Sequence, residues 1–418
     1  MLRLTILAGA CALSFASPAL ARPTAFINAR ILTAAADDEI ASGTLVIENG
    51  KITAVGANVS PPPDADIVDA QGKTITPGLV ASNTSIGTVE ISGGADAAEM
   101  GSGSNRVTAG YDVQYAINPY SSPFAVTRQG GVTRAIVTPG GGDASLGTRY
   151  AGQAAIIHLG EGPDILMRPK TGVVWSLGAA ESGRGAAFVQ FQEELEDVRQ
   201  YSRRPASFRQ GELRARDWSE ADLNALVPVA EGRTPVVASV DRASDILALL
   251  DVAARQKLRL ILVGASEGWL AAEKIAGAGV PVILDVTENL PSNFDQIGTS
   301  LENARRLHEA GVTLVIQGKR TGHEAGQLRY FAGIAVAHGL PYAAALKAVT
   351  VNPARVWGEK NFGALAVGQE ADLALWEGDP FEPLTELSAL YIRGERQTLR
   401  SRQNLLEEKY IGAEGAAH

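Results

Sequence analysis

Five short runs of branched apolar residues, at 134–138, 236–240, 258–263, 280–284 and 312–316, constrain the fold of this chain most. Amphipathic stretches at 243–255, 269–276 and 301–310 fall between or after them, and a last helical stretch covers 341–349. Strands that alternate with helices of this length predict βα units and a parallel sheet, hence an α/β fold. The two ends of the chain carry strand signals without helices. At 45–48 and 51–55, strand-like residues flank Asn49-Gly50, a hairpin turn signal, and Pro61-Pro62-Pro63 then marks a loop. Residues 371–376 and 389–392 are again strand-like.

The 418 residues suffice for a barrel of about 250 residues and a smaller domain. The formal net charge of −9 argues against nucleic acid or an anionic membrane surface as a partner. Residues 1–21 read as a secretory signal: Arg3 supplies the positive start, 4–15 the apolar run, and Ala19-Leu20-Ala21 a cleavage site. A lipoprotein reading of Ala8-Gly9-Ala10-Cys11 is the alternative. After cleavage at Ala21 the chain is expected to be soluble, exported to the periplasm, and without a thiol, because Cys11 is the only cysteine. Residues 181–233, rich in Arg and Glu, read as a solvated helical excursion, with a partner surface as the alternative.

Two phrases carry a family resemblance. Thr76-Pro77-Gly78-Leu79-Val80-Ala81-Ser82-Asn83-Thr84-Ser85 is similar to the end of the first barrel strand of metal-dependent amidohydrolases, P-G-L-[IV]-D-x-H-x-H. Thr350-Val351-Asn352-Pro353-Ala354-Arg355 and 363–373 resemble the T-x-N-P-A-x…G-x-L-x-x-G-x-x-A-D-L signature of the imidazolonepropionase-like branch. The resemblance implies a (β/α)8 TIM-like barrel plus a small β-sandwich formed by N- and C-terminal strands. Its boundaries would be 22–75 for the first part of the sandwich, 76–360 for the barrel, and 361–418 for the second part and tail.

The same resemblance implies an active site at the C-terminal ends of the strands. Asn83 and Ser85 stand where the family has its first two histidines, and Ala81 where it has an acid. Ser239 and Gly264 replace two further histidines, Asp241 lies where another often follows, and Lys319 aligns with the catalytic aspartate. None of Asn83, Ser85, Ser239, Gly264 and Lys319 suits zinc, which takes imidazole, thiolate or carboxylate. The expectation is therefore no metal, no cofactor, and a substrate-binding set of Asn83, Ser85, Ser239, Asp241, Lys319 and His323, with Lys319 paired to Asp241.

The remaining histidines, His158, His308, His338 and His418, are isolated in sequence. Gly264-Ala265-Ser266-Glu267-Gly268 matches the G-x-S-x-G of a nucleophile elbow, with Asp285 and His323 downstream. It lacks an oxyanion segment, and a plain βα turn is the simpler reading. Pro139-Gly140-Gly141-Gly142 and 94–105 read as loops at the barrel mouth. Three functions compete: a metal-free small-ligand binder, or accessory to an active relative in a homo- or hetero-oligomer; a hydrolase of cyclic or non-peptide C–N bonds with a reassigned site in which Lys319 acts as base or nucleophile; and an ordinary metal hydrolase.

Overall fold

The computed structural model describes residues 22–35, 39–91, 98–101, 107–140, 149–177, 183–210 and 218–411, with the side chains of 208, 209 and 323 outside that description. The expected signal at 1–21, Cys11, His418, Gly141-Gly142 and most of 94–105 therefore lie outside the described residues.

The two ends of the chain meet in one eight-stranded sheet. Its order is Glu395–Arg396, Leu387–Ile392, Leu373–Trp376, Thr74–Pro77, Thr24–Leu32, Glu39–Glu48 and Lys51–Gly56, with Asp66–Asp69 beside Thr24–Leu32. Asn49 and Gly50 both have positive φ, 49° and 77°, as a two-residue hairpin turn requires. The join between chain ends is the antiparallel pair Thr74–Pro77 with Leu373–Trp376, in which Thr76 faces Ala374. A sandwich of two layers is the sequence expectation; the hydrogen bonds record a single sheet.

From this sheet the chain passes through Gly78 straight into Leu79–Thr84, the first strand of a TIM-barrel-like α/β body. A Cβ at Gly78 would lie 2.2 Å from the Thr133 side chain, so only glycine allows the two strands this close. Leu79–Thr84 pairs parallel with Val132–Val137, which pairs antiparallel with Ala155–His158. Leu166–Arg168 completes a four-stranded sheet. A second sheet of six runs Leu314–Ile316, Val282–Leu284, Leu260–Gly264, Val236–Val240, Val173–Ser176 and Tyr150–Gln153, parallel except for the last. The chain changes sheet at Ala154, whose N–H donates to Gly172 and whose carbonyl accepts from Thr171. At the other seam no ladder joins Leu314–Ile316 to Leu79–Thr84; single bonds bridge it, Ser85 N–H to the Arg320 carbonyl at 2.8 Å among them. The expected closed (β/α)8 cylinder is thus two mixed sheets in a barrel-like arrangement.

Alternation explains how the two sheets share one interior. Val80, Ile136, Ile156, Val174, Val237, Ile261, Ile283 and Val315, from eight strands of the two sheets, pack in one cluster with Trp357 and Phe362. Their strand neighbours Leu79, Ala135, Trp175, Ala238 and Leu262 face the helical layer instead. Ala243–Gln256 supplies Ile246, Leu249, Leu250 and Ala253 to that layer and ends at Lys257, in left-handed conformation. At about 1.5–3 kcal/mol for each fully buried aliphatic side chain, these two clusters dominate stability.

The Arg/Glu-rich segment differs from expectation. Arg184–Arg203 buries Phe191, Leu195, Val198 and Tyr201 and packs on Glu220–Ala230, which Ser219 and Asp222 cap reciprocally. Apart from the buried Glu194, its charges lie partly or fully exposed, and the apolar stripe belongs to the core rather than to solvent. No helix among the described residues is long and apolar enough to cross a membrane.

Candidate functional site

The parallel strands of both sheets end on the same side, and the residues that follow them form the rim. At one corner, Asn83 closes its strand with a positive φ of 57°, a conformation that asparagine tolerates better than most residues. Its amide Nδ2 donates to Gln317 at 2.7 Å. Its Oδ1 accepts from the Thr138 hydroxyl and from Arg320 Nη1, both at 2.7 Å. Arg320 Nη2 donates to the carbonyls of Thr138 and Pro139 at 3.1 Å each. The Ser85 hydroxyl donates to the Arg320 carbonyl at 2.7 Å, which fixes the backbone that carries the guanidinium. Burial pushes the Arg320 guanidinium pKa down.

A second corner is acidic. Ser266 is buried, and its hydroxyl lies 2.7 Å from Asp241 Oδ1 and 2.5 Å from Glu288 Oε2. Gln296 donates to the other oxygen of Asp241 at 3.2 Å. A hydroxyl has one proton, so two short contacts to carboxylates need a second proton from one of the acids. Glu288 is the acid whose pKa is raised, first by burial and then by Asp241 and Asp285, against the lowering contact with Ser266. Gly264, at φ 86°, makes room: a Cβ there would stand 2.5 Å from Asp241 Oδ1.

Lys319 does not pair with Asp241. Its ammonium lies 2.8 Å from Asp285 Oδ2 and 3.2 Å from the Thr287 hydroxyl, at a side chain about half exposed. Lys319 comes after Leu314–Ile316 and Asp285 after Val282–Leu284 on the neighbouring strand, whereas the strand before Asp241 lies two strands further away. Ser239 ends its strand half-buried, and its carbonyl accepts from Leu177 N–H at 3.4 Å. His323 belongs to the short helix Gly322–Gln327, with its side chain outside the described residues.

The structure thus brings Asn83 and Ser85 together, places Asp241 with Ser266, and leaves Lys319 with Asp285. Arg320, Gln317, Thr138 and Glu288 are the residues that sequence reasoning passed over. Arg320 carried no signal in the sequence, because it lies in the irregular segment after Leu314–Ile316, where strand alternation does not fix which way a side chain faces. Among the described side chains Ser266 has acids beside it, and Asp285, the acid of the elbow reading, holds Lys319 instead. His158 lies at the other end of its strand and is held by the carbonyl of Asp164 and the N–H of Gly160; burial lowers its pKa. Among the described residues, no three of His, Cys, Asp and Glu are grouped so as to hold a metal ion.

Comparison with known proteins bears on this rim and its scaffold. Residues 242–398 match the model of the Amidohydrolase family. The amidohydrolase tasK of Hapsidospora irregularis is 22% identical over 372 residues, which cover 81% of this chain and 38% of the relative, so the chain spans well under half of that protein's length. The crystal structure of an amidohydrolase from Thermotoga maritima superposes with a TM-score of 0.80 at 22% identity, over 90% of this chain and all of that one. N-isopropylammelide isopropylaminohydrolase from Burkholderia multivorans has a TM-score of 0.52 at 14% identity, over 90% of this chain and 98% of its own. At these identities the structural likeness shows the fold. Residues 242–398 thus resemble the Amidohydrolase family, and the chain shares the fold of a solved amidohydrolase along nine-tenths of its length.

Proposed function

We propose that this chain is an exported, metal-independent member of the amidohydrolase superfamily that binds a small molecule at the rim of its barrel-like body, alone or as an accessory to a metal-competent relative. The observation that carries this reading is the hydrogen bond from Arg320 to Asn83 at 2.7 Å. A guanidinium rests on the residue that stands in the place of a family metal ligand, and it repels a divalent cation there. The other replacements point the same way. The Ser85 hydroxyl is spent on a backbone carbonyl, Gly264 has no side chain to offer, and Lys319 is a cation held by Asp285. A zinc site needs about three imidazole, thiolate or carboxylate donors, and this corner has neutral amides and hydroxyls around a positive charge.

Elemental analysis of the purified protein tests the reading. Zinc, manganese and iron each below about a tenth of an equivalent are expected, against the one or more equivalents that a catalytic site holds. Near-stoichiometric metal that chelators remove together with ligand binding sinks it.

A second reading, a hydrolase acting on C–N bonds without a metal, is favoured by the acidic corner. Ser266 between Asp241 and Glu288 is a hydroxyl with two carboxyl groups within 2.7 Å. General acid–base chemistry needs such a pair at a strand end. Turnover of cyclic amides or acyl amino acids that survives chelation and vanishes in Ser266→Ala or Glu288→Gln would establish it; turnover unchanged in both variants rules it out. For Lys319, the ion pair with Asp285 argues against a free amine nucleophile.

A further inference from the structure

We propose that Arg320 is the receptor for one carboxylate, so that the small molecule bound at this rim is a monoanion; the inference deepens the ligand-binding reading above and rests on it. The guanidinium has no ion-pair partner among the described residues. Its acceptors are the Asn83 amide oxygen and the carbonyls of Thr138 and Pro139, all neutral. These take three of the five N–H groups of an arginine, one on Nη1 and both on Nη2. The Nε–H and the second Nη1–H have no acceptor among the described residues. The acids of the second corner do not compensate it either. Burial lowers its pKa, and neither Asp241 nor Glu288 forms an ion pair with it.

Two arginines buried more deeply than Arg320, which is partly exposed, show what compensation looks like. Arg134 sits between Asp372 and Glu370. Arg329 lacks a carboxylate but gives four hydrogen bonds, to the carbonyls of Pro380, Glu382 and Pro383 and the hydroxyl of Tyr330, and lies over the rings of Tyr330 and Trp376. Arg320 has neither device, and it alone of the three stands at the strand ends where ligands of such folds bind. A cation partly withdrawn from water without a counter-charge is costly, and an anion arriving with a ligand offsets that cost. Charge counting sets the class. Lys319 is already met by Asp285, so this corner has one uncompensated positive charge. A monoanionic carboxylate matches it; a phosphate dianion brings one negative charge too many.

Isothermal titration calorimetry of the full chain with acetate, N-acetylglycine, N-benzoylglycine and 5-oxoproline, each beside its neutral primary amide and beside inorganic phosphate, tests the proposal. At least one acid is expected to bind saturably, with its amide about ten- to a hundredfold weaker, the range of one charge-assisted hydrogen-bonding contact. Arg320→Met should weaken the acid by the same factor and leave its amide unchanged. Asn83→Asp is the second variant. Aspartate tolerates the left-handed backbone at 83, and its carboxylate occupies the guanidinium from within, so it should abolish acid binding while raising the melting temperature. Equal affinity for acid and amide, acid binding that persists in either variant, preference for phosphate over every acid, or no binding by any acid overturns the proposal. Stoichiometric metal in the same preparation would instead overturn the parent reading, whereas a metal-free protein that binds amides as well as acids sinks only this inference.

Discussion

The amide oxygen of Asn83 accepts a hydrogen bond from Arg320 at 2.7 Å, and through it the end of the first barrel strand is tied to the loop after the last parallel strand. The two strands share no ladder, so this bond, the Asn83–Gln317 contact and the two donations from Ser85 to the Arg320 carbonyl hold the seam. A rim that is structurally committed in this way is poorly suited to opening up its amides and hydroxyls to coordinate a metal.

The Arg134–Asp372 pair offers the plainest stability prediction. Arg134 is fully buried in the barrel-like body, and Asp372 comes from the segment that carries the A-D-L phrase, so the pair couples that body to the sheet beside it. Asp372→Ala should destabilise the protein by about 3–5 kcal/mol, because it leaves a guanidinium buried with only Glu370 to meet it. Chemical denaturation measures this; a loss below about 1 kcal/mol contradicts it.

Glu288 should make stability depend on pH. Its folded pKa is raised, so between the unfolded value near 4.5 and the raised folded value the folded state holds a proton that the unfolded state has lost. Stability contributed by this group is therefore present below that window and declines as pH rises through it. Glu288→Gln cannot ionise, and its stability relative to wild type should grow from pH 4 upward. Denaturant midpoints taken across pH 4–8 decide; parallel curves refute the expectation.

Ser266 lowers the Glu288 pKa by its hydrogen bond, while burial and the neighbouring acids raise it. Ser266→Ala should move the carboxyl titration of Glu288 further up. Carbon-13 detection of the glutamate carboxyls in wild type and variant, with Glu288→Gln for assignment, reads this directly. A titration that moves down shows that the hydroxyl is not the contact that favours the charged form.

Gly264 allows no side chain. Gly264→Ala combines a Cβ that would stand 2.5 Å from Asp241 Oδ1 with a left-handed backbone at φ 86°. A loss of about 1–3 kcal/mol is expected from the strain and the overpacking. Restoring the histidine that the family resemblance calls for at this position should cost more. A thermal melt within a degree of wild type for Gly264→Ala would show that the loop moves freely.

Much of the architecture was legible in the residues. Val236–Val240 is a strand at the expected bounds, and Leu260–Gly264, Val282–Leu284 and Leu314–Ile316 fall within two residues of expectation at each end. Branched apolar runs of that length have few other ways to be buried. Asn49-Gly50 fixed its hairpin through the two positive φ angles. The stretch 181–233 misled because it is rich in Arg and Glu, while the buried stripe of Phe191, Leu195, Val198 and Tyr201 depends on spacing rather than on composition. Similarly, Lys319 drew attention as the strand-end cation when Arg320, one residue on, is the cation turned inward.

What the sequence determined by itself is local: the strands and helices that periodicity dictates, the glycines that positive φ requires, and the absence of imidazoles at the positions where the family resemblance calls for them. Which side chains face each other across the rim was a tertiary decision. Lys319 meets Asp285 rather than Asp241, and Arg320 meets Asn83, because strand order and seam geometry bring together residues 34 and 237 positions apart. Hydrogen bonds and charges act over a few ångströms, and distances of that kind exist only once the chain has folded.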